Sequence, residues 1–229
     1  TWRAAASVRV TGMINAPVLS AVPRPQQVSG HSPEILAGVL DNSTNLSIWQ
    51  RQLPVHIVNF ATLLLSLEEP LSDAISLNIS DERSCPSLIH LASRFKDLEG
   101  FEGFIADIEW LVSAYACLVG ATRIGLGLRA LDKAMCPRFH VDHVPVRLIT
   151  TYAGPGSQWL KEGVLERRLL GQLPAESIEN AQIEVIKTGE VALLKGEKWQ
   201  GNEGFGLIHR SPTVAVSERR LILTLDWLA

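Results

Sequence analysis

Cysteine is scarce in this chain, a strong net charge is absent, and no apolar run is long enough to cross a bilayer. Three cysteines, Cys85, Cys117 and Cys136, stand among 229 residues. Their number is odd and no pair has CxxC spacing, which argues against a disulfide framework and suits a reducing cytoplasm, the expected location. The formal charge of −3 and pI near 6.1 arise from 21 basic and 24 acidic residues, with the basic ones scattered apart from Arg167-Arg168 and Arg219-Arg220. Nucleic-acid binding normally needs a basic stripe, so no nucleic-acid partner is expected. The longest apolar stretches, residues 60–67 and 111–120, fall short of the roughly 20 residues of a membrane helix and are flanked by charges. They read as buried helices, and no membrane partner is expected.

A hydrophobic share of 46% supports a real core, and no internal repeat is visible. Residues 1–30, with Pro17, Pro23 and Pro25, read as a flexible leader. Their arginines and lack of acids also suit a targeting peptide, but a continuous apolar segment is missing. Ser32-Pro33-Glu34 before ILAGVL has the form of a helix start. LSIWQRQ reads as a strand, Val55 to Leu67 as a helix, and the span Leu71 to Leu98 as one or two amphipathic segments. Within that span Ser84-Cys85-Pro86 is a break and PSLIHLASRF a helix that carries His90 on one face. Phe104, Ile108, Leu111, Val112, Tyr115 and Leu118 recur at a spacing close to 3.6 and predict a long helix. From Thr122 the period changes to two, and short strands are predicted at 123–131, 138–142, 146–152, 164–170, 183–187, 190–196, 205–209, 213–216 and 220–228. The predicted fold class is α+β. A helical part, 31–121, packs on a jelly-roll part, 122–229, the two forming one continuous domain over 31–229.

The densest chemistry lies in residues 136–156, CPRFHVDHVPVRLITTYAGPG. On a strand, His140 and Asp142 point to the same face with Val141 turned away, and the best-placed third ligand is His209 in GLIHRSP. Two His and one carboxylate on one face suit non-haem Fe(II), with coordination positions left open. Cys136 as a soft fourth ligand favours zinc instead, and also reads as structural. His143 is at odd spacing and faces away. Thr150 and Tyr152 share a face and are expected to hydrogen-bond a co-substrate carboxylate. Arg147 reads either as an anion binder or as the partner of an acid such as Glu190, and Trp159 and Trp199 either line the entrance or pack. In the last strand Arg219 alternates with Leu221, Leu223 and Leu225. Arg220 alternates with Ile222, Thr224 and Asp226, the more polar face, which favours Arg220 as a pocket residue.

HxD, a distal His, and an Arg about ten residues on resemble the Fe(II)/2-oxoglutarate dioxygenases, whose fold is the double-stranded β-helix. The resemblance implies an arginine that holds the far carboxylate of 2-oxoglutarate, and its usual spacing points to Arg219, against the face argument. The strings CPRFHVDHVPVRLITTYAGPGSQWL, GEVALLKGE, HRSP…RRLILTLDW and NLSIWQRQLP are similar to the bacterial domain-of-unknown-function 1826 family over roughly residues 35–229. That family brings no activity. Its association with zinc-limitation gene neighbourhoods and metallochaperone GTPases implies metal homeostasis as a context. Two functions follow as expectations. One is an Fe(II)- and 2-oxoglutarate-dependent oxygenase hydroxylating an unidentified substrate. The other is a non-catalytic protein of metal homeostasis binding zinc or another metal.

Overall fold

Alternating apolar residues give the carboxyl-terminal strands two buried faces, one for helices and one for a second sheet. The computed structural model describes residues 24–79, 88–172 and 177–228. In chain order the elements are β1 (Gln26–Gly30), a 3-10 helix (Pro33–Leu40), β2 (Thr44–Trp49), α1 (Val55–Ser66), β3 (Ser72–Asn78), α2 (Phe101–Val119), β4 (Arg123–Leu131), β5 (Val146–Ala153), β6 (Gln158–Leu160), β7 (Ile183–Val185), β8 (Val191–Lys195), β9 (His209–Arg210) and β10 (Arg220–Trp227). The class is mixed α+β, dominated by sheet. Among the described residues no helix is long and apolar enough to cross a membrane.

A seven-stranded sheet has the order β1-β2-β8-β5-β10-β4-β3, and a three-stranded sheet the order β7-β6-β9, extended by a single bridge from His140 to His209. On β5, β8 and β10, Leu148, Tyr152, Val191, Leu193, Leu221, Leu223 and Leu225 face α1 and α2. Ile149, Ala192, Leu194 and Ile222, one residue out of phase, pack with Trp159, Ile186 and Leu207 between the two sheets. This is the period of two acting twice, once on each face. Helix α2 buries the apolar stripe expected of it and starts at Gly100, whose φ is 90°. A Cβ there would stand 2.6 Å from the His56 carbonyl of α1, so glycine permits the close approach of the two helices.

Several local expectations are corrected. Residues 26–30, placed in the leader, form β1 parallel to β2. The span 31–121 is not helical throughout, because β2 and β3 belong to the large sheet. The segment 72–78 is an edge strand paired only with β4 and exposed along much of its length, so burial leaves little pattern in its sequence. Leu88, Leu91, Ala92 and Phe95 are buried at helical spacing, yet the chain winds through turns with Ala92 left-handed at φ 51° and only Ser93–Phe95 as a 3-10 turn. The Asp73 carboxylate accepts the Ala92 amide at 2.8 Å, which stabilises that turn. Segment 164–170 holds a 3-10 turn at Arg167–Leu169, and 213–216 is a loop. The Ser84-Cys85-Pro86 break and Cys85 lie outside the described residues.

Candidate metal centre and a buried arginine

His140, Asp142 and His209 come together, each offering a ligand atom within 4.8 Å of the others. His140 and His209 are joined by two backbone hydrogen bonds of 3.0 Å, which set their rings 4.5 Å apart. The carbonyl of Arg138 accepts from His140 Nδ1 at 2.9 Å, and that of Leu207 from His209 Nδ1 at 3.0 Å. A carbonyl only accepts, so in both rings Nδ1 carries a proton, and in the neutral ring the lone pair is on Nε2. Those Nε2 atoms stand 3.8 and 3.4 Å from the Asp142 carboxylate. Burial pushes the His209 imidazole below its ordinary pKa, against the opposing pull of Asp142, and so favours its neutral form.

Two imidazole nitrogens and a carboxylate thus converge. Asp142 Oδ2 is buried and accepts no hydrogen bond. Arg147 Nη1 lies 2.9 Å from it as well, but directs its proton to Oδ1. Oδ2 thus rests beside a guanidinium without a hydrogen directed at it, and keeps a lone pair that a metal ion would take. Asp142 is held from its other side by this arginine, whose Nη1 donates to Oδ1 at 2.9 Å while Nε and Nη2 clasp Asp226 at 2.7 and 2.9 Å. Burial opposes the charge on Arg147, but the two carboxylates hold its pKa above the usual value. Glu190, the partner considered for it, instead accepts the Lys187 amide.

Arg220 is 1% exposed. Its Nη2 donates to Ser157 Oγ at 2.6 Å and to Thr151 Oγ1 at 2.9 Å, and its Nε to Thr151 at 3.3 Å. Among the described residues no carboxylate pairs with it, and burial pushes its pKa down to about 10. Gly154, at φ 83°, brings the end of β5 against this strand, because any Cβ there would collide with the Arg219 carbonyl. Arg147, Ile149 and Thr151 stand on one face of β5 opposite Asp226, Thr224 and Ile222 of β10. The first touches Asp142 and the last touches Arg220, so the triad and the buried guanidinium share the space between the sheets, about 13 Å of strand apart.

The remaining expected residues fall elsewhere. Arg219 donates to the carbonyls of Leu65 and Glu69 near the end of α1. Thr150 lies across from Leu223 and Val191, on the helix side of the sheet. Tyr152 is on that side too, its hydroxyl donating to Asp107 at 2.7 Å. The co-substrate expectation for these two is corrected by one step of alternation, since Thr151 between them is the residue that meets Arg220. Ser157 escapes sequence reasoning as well, for it follows a Gly-Pro-Gly turn whose path the sequence does not state. Cys136 and His143 are exposed and outside the cluster, and His90 is exposed. Trp159 is buried between the sheets, and Trp199 packs on Trp227 with ring centroids 6.5 Å apart.

A family model described as "Protein of unknown function (DUF1826)" matches residues 30–226. No curated protein matches in sequence at a significant level. Among solved structures, similarity is found to a candidate oxygenase from Shewanella oneidensis, with TM-score 0.49, 8% identity, and coverage of 88% of this chain and 89% of that one. A Pseudomonas putida prolyl-4-hydroxylase gives 0.42 at 13% identity over 84% and 97% of the two chains. The dioxygenase for auxin oxidation 1 of Arabidopsis thaliana, in its 2-oxoglutarate complex, gives 0.42 at 10% identity over 90% and 92%.

Proposed function

The chain belongs to the DUF1826 family, whose model spans most of its length, and from the site it carries we propose that it is an Fe(II)- and 2-oxoglutarate-dependent oxygenase that hydroxylates a substrate. The observation that carries the reading is a two-His-one-Asp cluster accompanied, in the space between the sheets, by a buried arginine that has no acidic partner among the described residues. A cluster of this kind alone would serve a zinc protein equally well, and a buried arginine alone would serve packing. Together they leave a place for a metal and for a dicarboxylate bridging towards the guanidinium. The topology supports a double-stranded β-helix: from β4 onward the chain passes between the sheets, with β4, β5, β8 and β10 in the large one and β6, β7, β9 and the His140 bridge in the small one.

The residues fit the metal because two imidazole Nε2 atoms and the Asp142 carboxylate, whose Oδ2 accepts no hydrogen bond, face one another. His140, Asp142 and His209 would hold it, with Arg147 fixing the carboxylate. When bound, Fe(II) and 2-oxoglutarate supply the oxidising chemistry: 2-oxoglutarate loses CO2 to become succinate, and one atom of dioxygen goes to succinate and one to the substrate C–H bond. Arg220 takes the far carboxylate, Thr151 and Ser157 orient the guanidinium, and Ile149, Ile222, Trp159 and Leu207 keep water from the interior.

Anaerobic reconstitution with Fe(II) and 2-oxoglutarate is expected to give a weak metal-to-ligand absorption band, and admission of oxygen to give succinate. Absence of both overturns the reading. Zinc retained through purification, with 2-oxoglutarate ignored, would put the non-catalytic metal-binding function in its place.

A further inference from the structure

Beside the metal cluster the large sheet continues past the small one. On β4 the residues Ile124, Leu126 and Leu128 face the helices, and Gly125, Gly127 and Arg129 face the other way. Their neighbours across the strands are Ser76 and Ala74 of β3 and Asp226 and Thr224 of β10. Most of these side chains are short, and no residue of β6, β7 or β9 lines the space above them. The result is a basin of about 400 Å³. Volumes of roughly 300–1,000 Å³ are usual for small-molecule sites.

We infer that this basin binds a small amphipathic carboxylic acid, with its carboxylate on Arg129 and its apolar body directed towards the Arg147–Asp142 contact. Two of the basin's charges are already matched, because Arg147 and Asp226 form a two-pronged ion pair. Arg129 is not: it is half-buried, and among the described residues it has neither an ion pair nor a hydrogen bond. Its guanidinium lies folded over Gly127 next to Thr224. A Cβ at position 127 would meet Arg129 Nη1 at 2.6 Å and Thr224 Oγ1 at 2.9 Å, so the glycine is what lets the cation rest on the basin floor. A planar fork with free donors selects a carboxylate. The walls supply the apolar complement, with Met135 48% exposed and Leu228 beside it. Methionine adapts to varied apolar shapes.

The geometry also gives a length. The Gly127–Thr224 row is two residues along the strands from the Gly125–Asp226 row, about 7 Å. A molecule of that length anchored on Arg129 reaches the Asp226–Arg147 pair, and Arg147 touches the metal ligand Asp142 at 2.9 Å. The basin is separate from the place assigned to 2-oxoglutarate, since Arg220 is enclosed between the sheets with Thr151 and Ser157. That the acid is the substrate rests on the oxygenase reading. That the basin takes an acid does not.

Ligand-observed NMR on the full chain tests this with matched probes, 3-phenylpropanoate against 3-phenylpropanamide and hexanoate against hexanamide. Wild type is expected to bind the acids at least tenfold more tightly than the amides. Arg129→Gln should erase the preference, Gly127→Ala should do the same by displacing the guanidinium, and Arg220→Leu should retain it. Equal or undetectable binding of acids and amides to wild type overturns the inference, as does a preference that survives in both Arg129→Gln and Gly127→Ala. Loss in Arg220→Leu alone would assign the acids to the interior and overturn it too. The readout needs no turnover. A chain that makes no succinate yet prefers acids through Arg129 keeps this site and loses the oxygenase reading, and succinate formation without acid preference does the reverse.

Discussion

Arg147 spans two carboxylates, donating to Asp226 through Nε and Nη2 and to Asp142 through Nη1, so a residue of the β5–β10 ladder fixes a candidate ligand of the cluster. Outer contacts of this kind typically govern about 10–100-fold of metal affinity. Arg147→Gln is therefore expected to weaken binding of Fe(II) or Zn(II) by about that factor, as read by equilibrium dialysis. Asp226→Asn, which loosens the clasp but spares the Asp142 contact, should weaken it less. Equal, negligible effects from both would show that Arg147 serves the sheet and not the site.

Arg220 is the sharpest test of the co-substrate assignment. A guanidinium enclosed with only hydroxyl partners among the described residues is a cost in the ligand-free protein. Replacing buried charges by apolar groups is often neutral or stabilising, by about 1–4 kcal/mol. Arg220→Leu should accordingly leave the melting temperature of the ligand-free protein unchanged or higher, while raising the Kd for 2-oxoglutarate at least about a hundredfold, which corresponds to roughly 2.7 kcal/mol. Arg219→Leu should leave that Kd within about twofold. A large loss of stability in Arg220→Leu with little change in Kd would make it a structural residue.

Tyr152 belongs to a different network. Its hydroxyl and the Arg51 guanidinium both donate to Asp107, where α2 meets the sheet. Burial first, and then the Asp107 carboxylate, raise the phenol's pKa well above its usual value, so it acts as a donor. Tyr152→Phe is expected to cost about 1 kcal/mol of stability, the size of one hydrogen bond. Denaturant unfolding should show that loss with 2-oxoglutarate binding unaltered. Altered co-substrate affinity would reinstate Tyr152 as a pocket residue.

What is legible in the sequence depends on how far each signal reaches. The two helices α1 and α2 can be read because one apolar stripe per helix suffices. The cluster can be read because His140 and Asp142 are only two apart, although the strand expected over 138–142 is a single bridge at His140, and because His209 stands alone in its apolar segment. The choice between Arg219 and Arg220 turns on alternation, and the structure places the residue of the polar face inside. The same reasoning misassigns Thr150 and Tyr152, because parity along β5 cannot be tied to that of β10 without the register, and the ladder shifts between Leu221 and Ile222. Strand β3 and the turns at 88–95 are misread for a related reason. An edge strand buries too little to leave a pattern, and a chain of turns can bury every third or fourth residue as a helix does.

Asp142 gives the most direct test of the metal site, since its Oδ2 is buried and accepts no hydrogen bond. Asparagine has the same shape without the charge, so Asp142→Asn should fold and lose only some attraction to Arg147, a contact that is partly solvent-screened. Its metal affinity should collapse, because two neutral imidazoles and an amide make a poor site for a hard divalent ion. A ligand at a hundred times its Kd stabilises the folded state by about 2.7 kcal/mol. In a chain of this size that raises the melting temperature by roughly 5–11 °C. Wild type titrated with Fe(II) under anaerobic conditions, or with Zn(II) in air, should show such a shift, and Asp142→Asn and His209→Ala should show none. His140 is the most exposed of the three candidate ligands, its side chain 33% exposed, so His140→Ala should weaken the shift without abolishing it. An undiminished shift in Asp142→Asn would mean that the metal binds elsewhere on the protein.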